Sequence, residues 1–380
     1  METPIVQENS PHLRRKDNLM GMMLDVLIAL APVVIFALVK YTWHALVVEL
    51  LSVFTMCLAE FVFVLIKSWG PKDGQKHSFK EKFLFACKGY GINNFLVPCV
   101  SGVIFSMLMP AAPTNPEGFI YFVVITGALF GIIIGKLVFG GTGQNIFNPA
   151  AVGFIFTKVC FASKFSSTYY SSTIIPDATA GGTLLTGSAS PSVLELLLGE
   201  TGGTFGEVCK IAILCGLVFL LVRHAADWRV VSSFFGTFLV LTAIAGLVYT
   251  LKGSVSDYGT WFLSHVLSGG VLFGGTYMLT DPVTMPITRP SRVIYGMVVA
   301  VCVVFIRLFG TYAEGMGFSI LIGNMFAPVM DHYKWSTNKY TWKNLLAMGI
   351  IAVLAIGIMV WGIVGKLNST TTSVVFGGNL

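Results

Sequence analysis

Charge is scarce in this sequence. Aspartate, glutamate, lysine and arginine make up 11% of its 380 residues, against roughly 25% in soluble domains, too few for an ordinary water-facing surface. Paired cysteines are also lacking. Cys57, Cys87, Cys99, Cys160, Cys209, Cys215 and Cys302 are scattered, mostly in apolar runs, with no C-x-x-C spacing, so neither an iron–sulfur nor a zinc site is signalled. The six histidines (His12, His44, His77, His224, His265, His332) form no ligand spacing, and no glycine-rich nucleotide fingerprint follows a strand. NAD binding and metal-centre chemistry therefore belong to other chains. Alternating polarity is missing too. Runs such as "FIYFVVITGALFGIIIGKLVF" (119–139) exclude a transmembrane β-barrel, whose strands alternate. The opening "METPIVQENSPHLRRKDNLM" is polar for too long to resemble a cleaved signal peptide.

What is present is apolar length. Mean hydropathy is +0.79, and a hydrocarbon core of about 30 Å requires about 20 apolar residues per helix. The runs predict spans at about 22–40, 45–66, 90–110, 118–138, 146–163, 207–222, 230–251, 259–280, 293–309, 314–330 and 344–365. The fold class is all-α: a polytopic membrane protein of about ten transmembrane helices in two five-helix halves, plus one extra C-terminal helix. Residues 1–21 form an N-terminal segment, 22–335 the membrane domain, and 336–380 the additional helix and tail.

Lys and Arg are retained on the cytoplasmic side. An inside N-terminus places Arg14, Arg15, Lys16, the lysines of "KSWGPKDGQKHSFKEKFLFACK" (67–88), Lys136, Arg223, Arg229, Arg289, Arg292, Lys334, Lys339 and Lys343 at inner ends. Only a minority, such as Lys164 and Lys252, fall elsewhere. The net charge of +6 thus reflects topology and gives no argument for nucleic acid. Segment 164–206 lies outside on this reading.

That outer segment is rich in Ser, Thr and Gly, like a solvated loop. It also contains Asp177, Gly181, Gly182 and Thr183 in "DATAGGT". Glycines admit a bulky planar group close to the backbone, and a threonine hydroxyl can form a phosphoester. The stretch resembles the D-x-x-S/T-G-A-T signature at which a separate transferase attaches FMN to threonine, with Ala180 where Ser or Thr is usual and Gly182 in place of Ala. "SPHLRRKDNLMGMMLDVLIALAP" (10–32), "GGTGQNIFNPAAVGF" (140–154) and "YMLTDPVTMPITRPSR" (277–292) occur with it, in order and on compatible sides. Together they resemble the NqrB/RnfD family over about residues 10–335. The short polar N-terminus favours the RnfD branch, and the eleventh run lies beyond that branch's usual end.

The resemblance implies a flavin-bearing subunit of an ion-translocating oxidoreductase in a prokaryotic cell membrane, not catalytic alone. Covalent FMN on Thr183 and a second, non-covalent riboflavin are implied, as are partner subunits carrying iron–sulfur and flavin centres and a flavin transferase. Asp177, Gly181 and Gly182 would serve the FMN.

Two inner motifs look alike: Gly140-Gly141-Thr142 with Asn148-Pro149, and Gly274-Gly275-Thr276 with Asp281-Pro282. Each pairs helix-loosening glycines with a polar residue before proline, where helix is disfavoured. Ordinary loops and a duplicated pair of broken helices both fit, although inverted halves should put equivalent motifs on opposite sides. Thr142, Asn145, Asn148, Thr276 and Asp281 are polar at membrane depth and so are candidate site residues. Asn145 and Asn148, three apart, would share a face if helical, and their amides suit a flavin's pyrimidine edge. Riboflavin, implied by the resemblance, brings no phosphate to desolvate. Asp25, Glu49 and Glu60 are interfacial acids or part of a cation route. An electron-transfer subunit of a ferredoxin:NAD (Rnf-type) complex coupled to Na⁺ or H⁺ is the leading expectation. An NqrB-like subunit of a Na⁺-pumping NADH:quinone reductase, or a small-solute channel or transporter on inverted repeats, are the alternatives.

Overall fold

The structure is a computed structural model that describes residues 19–69, 79–110, 119–161, 193–198, 204–207, 209–255, 257–310, 315–332 and 337–376. Asp177, Gly181, Gly182 and Thr183 lie outside the described residues. Apart from one isolated bridge between Pro110 and Thr204, the regular structure among the described residues is helical.

In chain order the helices are α1 (Leu19–Trp69), α2 (Phe79–Gly89), α3 (Ile92–Met107), α4 (Phe119–Gly135), α5 (Pro149–Cys160), α6 (Val193–Leu198), α7 (Lys210–Val222), α8 (Trp228–Leu251), α9 (Tyr258–Leu267), α10 (Arg289–Phe309), α11 (Met316–Met330) and α12 (Trp342–Phe376). Among the described residues, six segments are long and apolar enough to cross a membrane, and four shorter apolar helices accompany them. The protein is a multi-pass, all-helical membrane protein.

The first two expected spans both lie in α1, with no glycine or proline between Pro32 and Trp69 to mark a break. The segment nonetheless folds back. Val26 lines the same cleft as Lys136, and Lys136 is 3.0 Å from Glu60. A straight helix would hold Val26 and Glu60 about 51 Å apart at 1.5 Å per residue. The two spans, Leu19–Tyr41 and Trp43–Lys67, therefore run antiparallel around a fold near Thr42. Tyr41, at that fold, meets Phe205 edge-on at 5.3 Å.

Helix ends sort into two faces. On one, Arg223 pairs with Asp25 at 3.2 Å, while Arg229 and Arg292 both reach Asp227, which also caps α8 through Arg229 N–H. On the other lie Tyr41, Phe119 with Phe161, and the 204–207 turn against Met107 and Met109. The arginine-rich face is the one expected inside.

α5 and α9 are short. At 1.5 Å per residue they cover about 18 and 15 Å, well under a hydrocarbon core of about 30 Å. The expected span 146–163 shrinks to Pro149–Cys160 because Asn148, extended before proline, caps the helix by accepting from Ala150 and Ala151 N–H. The expected span 259–280 is not continuous. It stops at Leu267, and Gly269 sits at φ +71°, a left-handed position that glycine occupies readily. A short turn, Val271–Phe273, then runs into a π-helical turn, Gly274–Met278. Arg307 of α10 donates to the carbonyls of His265 and Ser268 at 2.7 and 3.0 Å, which compensates the broken ladder. α12 packs on α8 and α10, with Lys366 donating to Leu308 O at 2.9 Å.

Candidate cofactor and ion site

The truncation of α5 and the break after α9 bring the two glycine-rich motifs together. Asn148 Nδ2 donates to Met278 O at 3.3 Å across 130 residues of sequence. The motifs are not equivalent in the chain: one joins the fourth and fifth spans, the other leads into the ninth. They meet because both return the chain at the arginine-rich face.

Between them lies a cleft lined by Met23 and Val26 of α1, Val97, Val100, Ser101 and Ile104 of α3, Lys136, Asn145, Asn148, and Tyr277 with Thr280–Val283. Its free volume is about 50 Å³. Close backbone approach closes it from behind. A Cβ on Gly131 would fall 2.6 Å from Pro149 O, and one on Gly135 would fall 2.9 Å from Pro149 Cα, so α4 and the start of α5 touch main chain to main chain.

Charge organises the floor. Lys136 and Glu60 pair at 3.0 Å, with their side chains 0% and 3% exposed, and Thr142 Oγ1 donates to the other Glu60 oxygen at 3.2 Å. Removing water from both charges is costly, and their mutual attraction, with the Thr142 hydrogen bond, offsets it. Asp281 is held differently. Its two oxygens accept from Val283 N–H at 3.1 Å and Thr284 Oγ1 at 3.2 Å, an arrangement local to its own turn. Thr280 Oγ1 donates to Thr276 O at 2.7 Å, and Tyr277 OH donates to Ala29 O at 2.9 Å, fastening the π turn to α1. Single π turns inside helices recur at functional sites. Thr276 Oγ1 is buried in that turn with no hydrogen-bond partner.

The sequence-derived candidates divide on this geometry. Glu60, Thr142, Asn145, Asn148, Thr276 and Asp281 gather at or next to the cleft. Asp25 does not join them and makes the surface pair with Arg223. Glu49, half-buried on the second span of α1, is also separate, and its Oε2 is without a hydrogen-bond partner. Asn145 and Asn148 do not share a helical face, because 144–148 is a loop. Asn148 is committed to capping α5 and to Met278 O, and Asn145 makes one long contact, 3.4 Å to Phe147 O.

Sequence reading missed Lys136 as a site residue, along with Tyr277, Thr280 and Thr284. The available signal was a single lysine directly after "GIIIG" and before a Gly-Gly-Thr-Gly turn, a charge with no water to face.

Besides the Lys136 ammonium, paired with Glu60, the lining supplies amides, hydroxyls and one carboxylate that suit an uncharged, polar-edged ring. The volume does not suit it. About 50 Å³ admits a few waters at about 10–15 Å³ each, or a dehydrated cation, and not a tricyclic isoalloxazine.

A family model described as the NQR2, RnfD, RnfE family matches residues 6–343, so that nearly all of α12 lies beyond the match. The B-type component of a Na(+)-translocating NADH-quinone reductase from Azotobacter vinelandii is 34% identical over 248 residues, which is 63% of this chain and 60% of that protein. The protein of the same description from Chromohalobacter salexigens is 33% identical over 263 residues, 66% of this chain and 61% of that protein. The chain thus spans about 60% of the length of these curated relatives.

Proposed function

The chain belongs to the NQR2, RnfD, RnfE family, and on that premise we propose that it is a membrane electron-transfer subunit of an ion-translocating oxidoreductase of the Rnf type. In this reading FMN is esterified to Thr183 on the outer side by a transferase, with Asp177, Gly181 and Gly182 shaping the acceptor stretch. Other subunits supply the iron–sulfur centres and the nucleotide site, and this chain contributes position and electrostatics to its flavins. The observation that carries the proposal is the meeting of the two distant family-like motifs, through Asn148 and Met278, around a buried polar cleft.

The inner cleft is the ion-handling part of the proposal. Asp281 and Glu60 are carboxylates at membrane depth, where ionisable groups mark ion routes, and the free volume matches a cation or water. Riboflavin at this cleft rests on the resemblance alone. Seating the ring there requires the 142–148 loop to separate from the 279–283 turn.

A second reading, a subunit of a Na⁺-pumping NADH:quinone reductase, is favoured by what the similar proteins from Azotobacter vinelandii and Chromohalobacter salexigens are. The two readings share the Thr183 flavin and differ in the donor. Reduction of the flavin in the purified complex by ferredoxin, and not by NADH, supports the first; the reverse pattern supports the second.

The central experiment co-expresses the full chain with its flavin transferase and looks for FMN ester on the Thr183 peptide by mass analysis. Thr183→Val abolishes the fluorescent band on a denaturing gel; a band that persists moves the attachment elsewhere. Sidedness is tested in a cysteine-free background. A cysteine at Ser172 labels with an impermeant maleimide in intact cells and one at Ser78 does not, and the opposite pattern overturns the orientation.

A further inference from the structure

The described cysteines are all free, and two of them are adjacent. Cys57 on the second span of α1 and Cys99 on α3 have sulfurs 3.4 Å apart. The helices that carry them pack unusually close. A Cβ on Gly102 would fall 2.8 Å from Val53 Cα, and Ser52 Oγ donates to Gly102 O at 2.7 Å. Small residues permit such backbone contact between membrane helices. Gly102 lies one turn from Cys99, and Val53 lies one turn from Cys57, so the thiols occupy the next position along the same seam. A disulfide needs Cα atoms about 4.4–6.8 Å apart and sulfurs about 2.05 Å apart. The sulfurs need to close by only about 1.4 Å to reach bonding distance.

Access to the pair comes from lipid. Cys99 is buried, Cys57 is half-buried, and its helix neighbours Phe54 and Leu58 are exposed apolar side chains. Glu60 follows Cys57 by one turn and holds both Lys136 and Thr142.

We propose that Cys57 and Cys99 are a reversible disulfide site, oxidised from the bilayer by a lipid-soluble two-electron acceptor of the quinone class. The two thiols give up two protons and two electrons, one S–S bond forms, and the acceptor leaves as its hydroquinone. The bond ties α1 to α3 one turn from the Glu60–Lys136 pair, which limits the separation of helices that line the cleft. A thiol reductant reverses it.

The test uses the full chain in sealed membrane vesicles. Samples are treated with diamide (a neutral, permeant two-electron thiol oxidant), with decylubiquinone, or with tetrathionate, a dianion that stays in water. Thiols are then blocked with N-ethylmaleimide in denaturant, and the digest is mass-analysed. Diamide and decylubiquinone are expected to remove the maleimide adducts of Cys57 and Cys99 together and yield the 57–99 linked peptide. The adducts return after phosphine reduction, and Cys87 and Cys160, both exposed, keep theirs. Tetrathionate leaves the pair unlinked. Retention of both adducts after diamide overturns the site. Linkage by diamide but not by decylubiquinone overturns the acceptor class, and equal linkage by tetrathionate overturns the route from the bilayer.

Discussion

Two polar interruptions of the membrane fold invite comparison. Near the arginine-rich face, Glu60, Lys136, Thr142 and Asp281 stand around a cleft of about 50 Å³. Near the opposite face, Glu207, Lys210, His265 and Arg307 are also at membrane depth, but the free volumes beside them are about 10 Å³ each. There the cations serve main chain. Arg307 donates to His265 O and Ser268 O, and Lys210 donates to Glu207 O. Backbone carbonyls freed by a broken helix must be satisfied in lipid, and a buried cation does that at the C-terminal end of α9, where the helix dipole also favours positive charge. At the inner face Lys136 and Glu60 are partnered side chain to side chain, Asp281 is held within its own turn, and room is left beside them. Both regions bury charge; what sets the inner one apart is the free volume beside it.

The largest effect that sharpens this contrast is at Lys136. Lys136→Met leaves Glu60 buried without its cation and lowers stability by about 3–5 kcal/mol, whereas Lys136→Met with Glu60→Leu recovers most of that loss. Thermal unfolding in detergent, read as a double-mutant cycle, checks it, and additive losses in the double variant would mean that the pair is not coupled. Arg307→Gln is expected to cost less, about 1.5–3 kcal/mol, because it removes charge-assisted bonds to two carbonyls, and it leaves ion transport per folded complex unchanged. A transport defect without a stability loss at Arg307 would break the comparison by making the outer cluster functional.

Asp281→Asn is expected to show the opposite signature. The amide oxygen still accepts from Val283 N–H, so stability falls by no more than about 1 kcal/mol, while cation transport by the reconstituted complex drops by tenfold or more. Equal losses in both would assign Asp281 to turn structure. The smaller effects separate the two asparagines. Asn148→Ser keeps a capping oxygen for α5 but loses the amide donor to Met278 O, at about 1 kcal/mol, and Asn148→Ala loses the cap as well, at about 1 kcal/mol more. Asn145→Leu is then the clean probe of inner flavin, by acid-extractable riboflavin per chain. Riboflavin that is undiminished in Asn145→Leu removes Asn145 from the binding proposal.

Much of the architecture is legible along the chain because its cause is local. Apolar runs such as 119–139 and 230–251 have to be helices in lipid whatever they pack against, and their lengths are read directly from sequence. Asn148-Pro149 marks a helix start for equally local reasons, since proline restrains the residue before it and asparagine caps. The 259–280 run misleads because a window of apolar residues hides Ser268-Gly269-Gly270, and the cation that stabilises the break comes from another helix. The site is half legible. Polar residues at membrane depth nominate Glu60, Asn148 and Asp281, but nothing within a few residues of Glu60 distinguishes it from Glu49 or Asp25.

Sequence by itself thus determined that this protein crosses a membrane repeatedly as helices, which apolar runs form them, and that Asn148-Pro149 starts one, because hydrophobic length and local backbone restraint are properties of a few consecutive residues. Tertiary structure alone decided the partners. Thr142 reaches Glu60 across 82 residues, Asn148 reaches Met278 across 130, and Cys57 meets Cys99 across 42. Whether a buried charge is neutralised, a carbonyl is capped or a cleft stays open depends on distances between separate helices, and those are set by how the apolar faces and small residues of the whole bundle fit together.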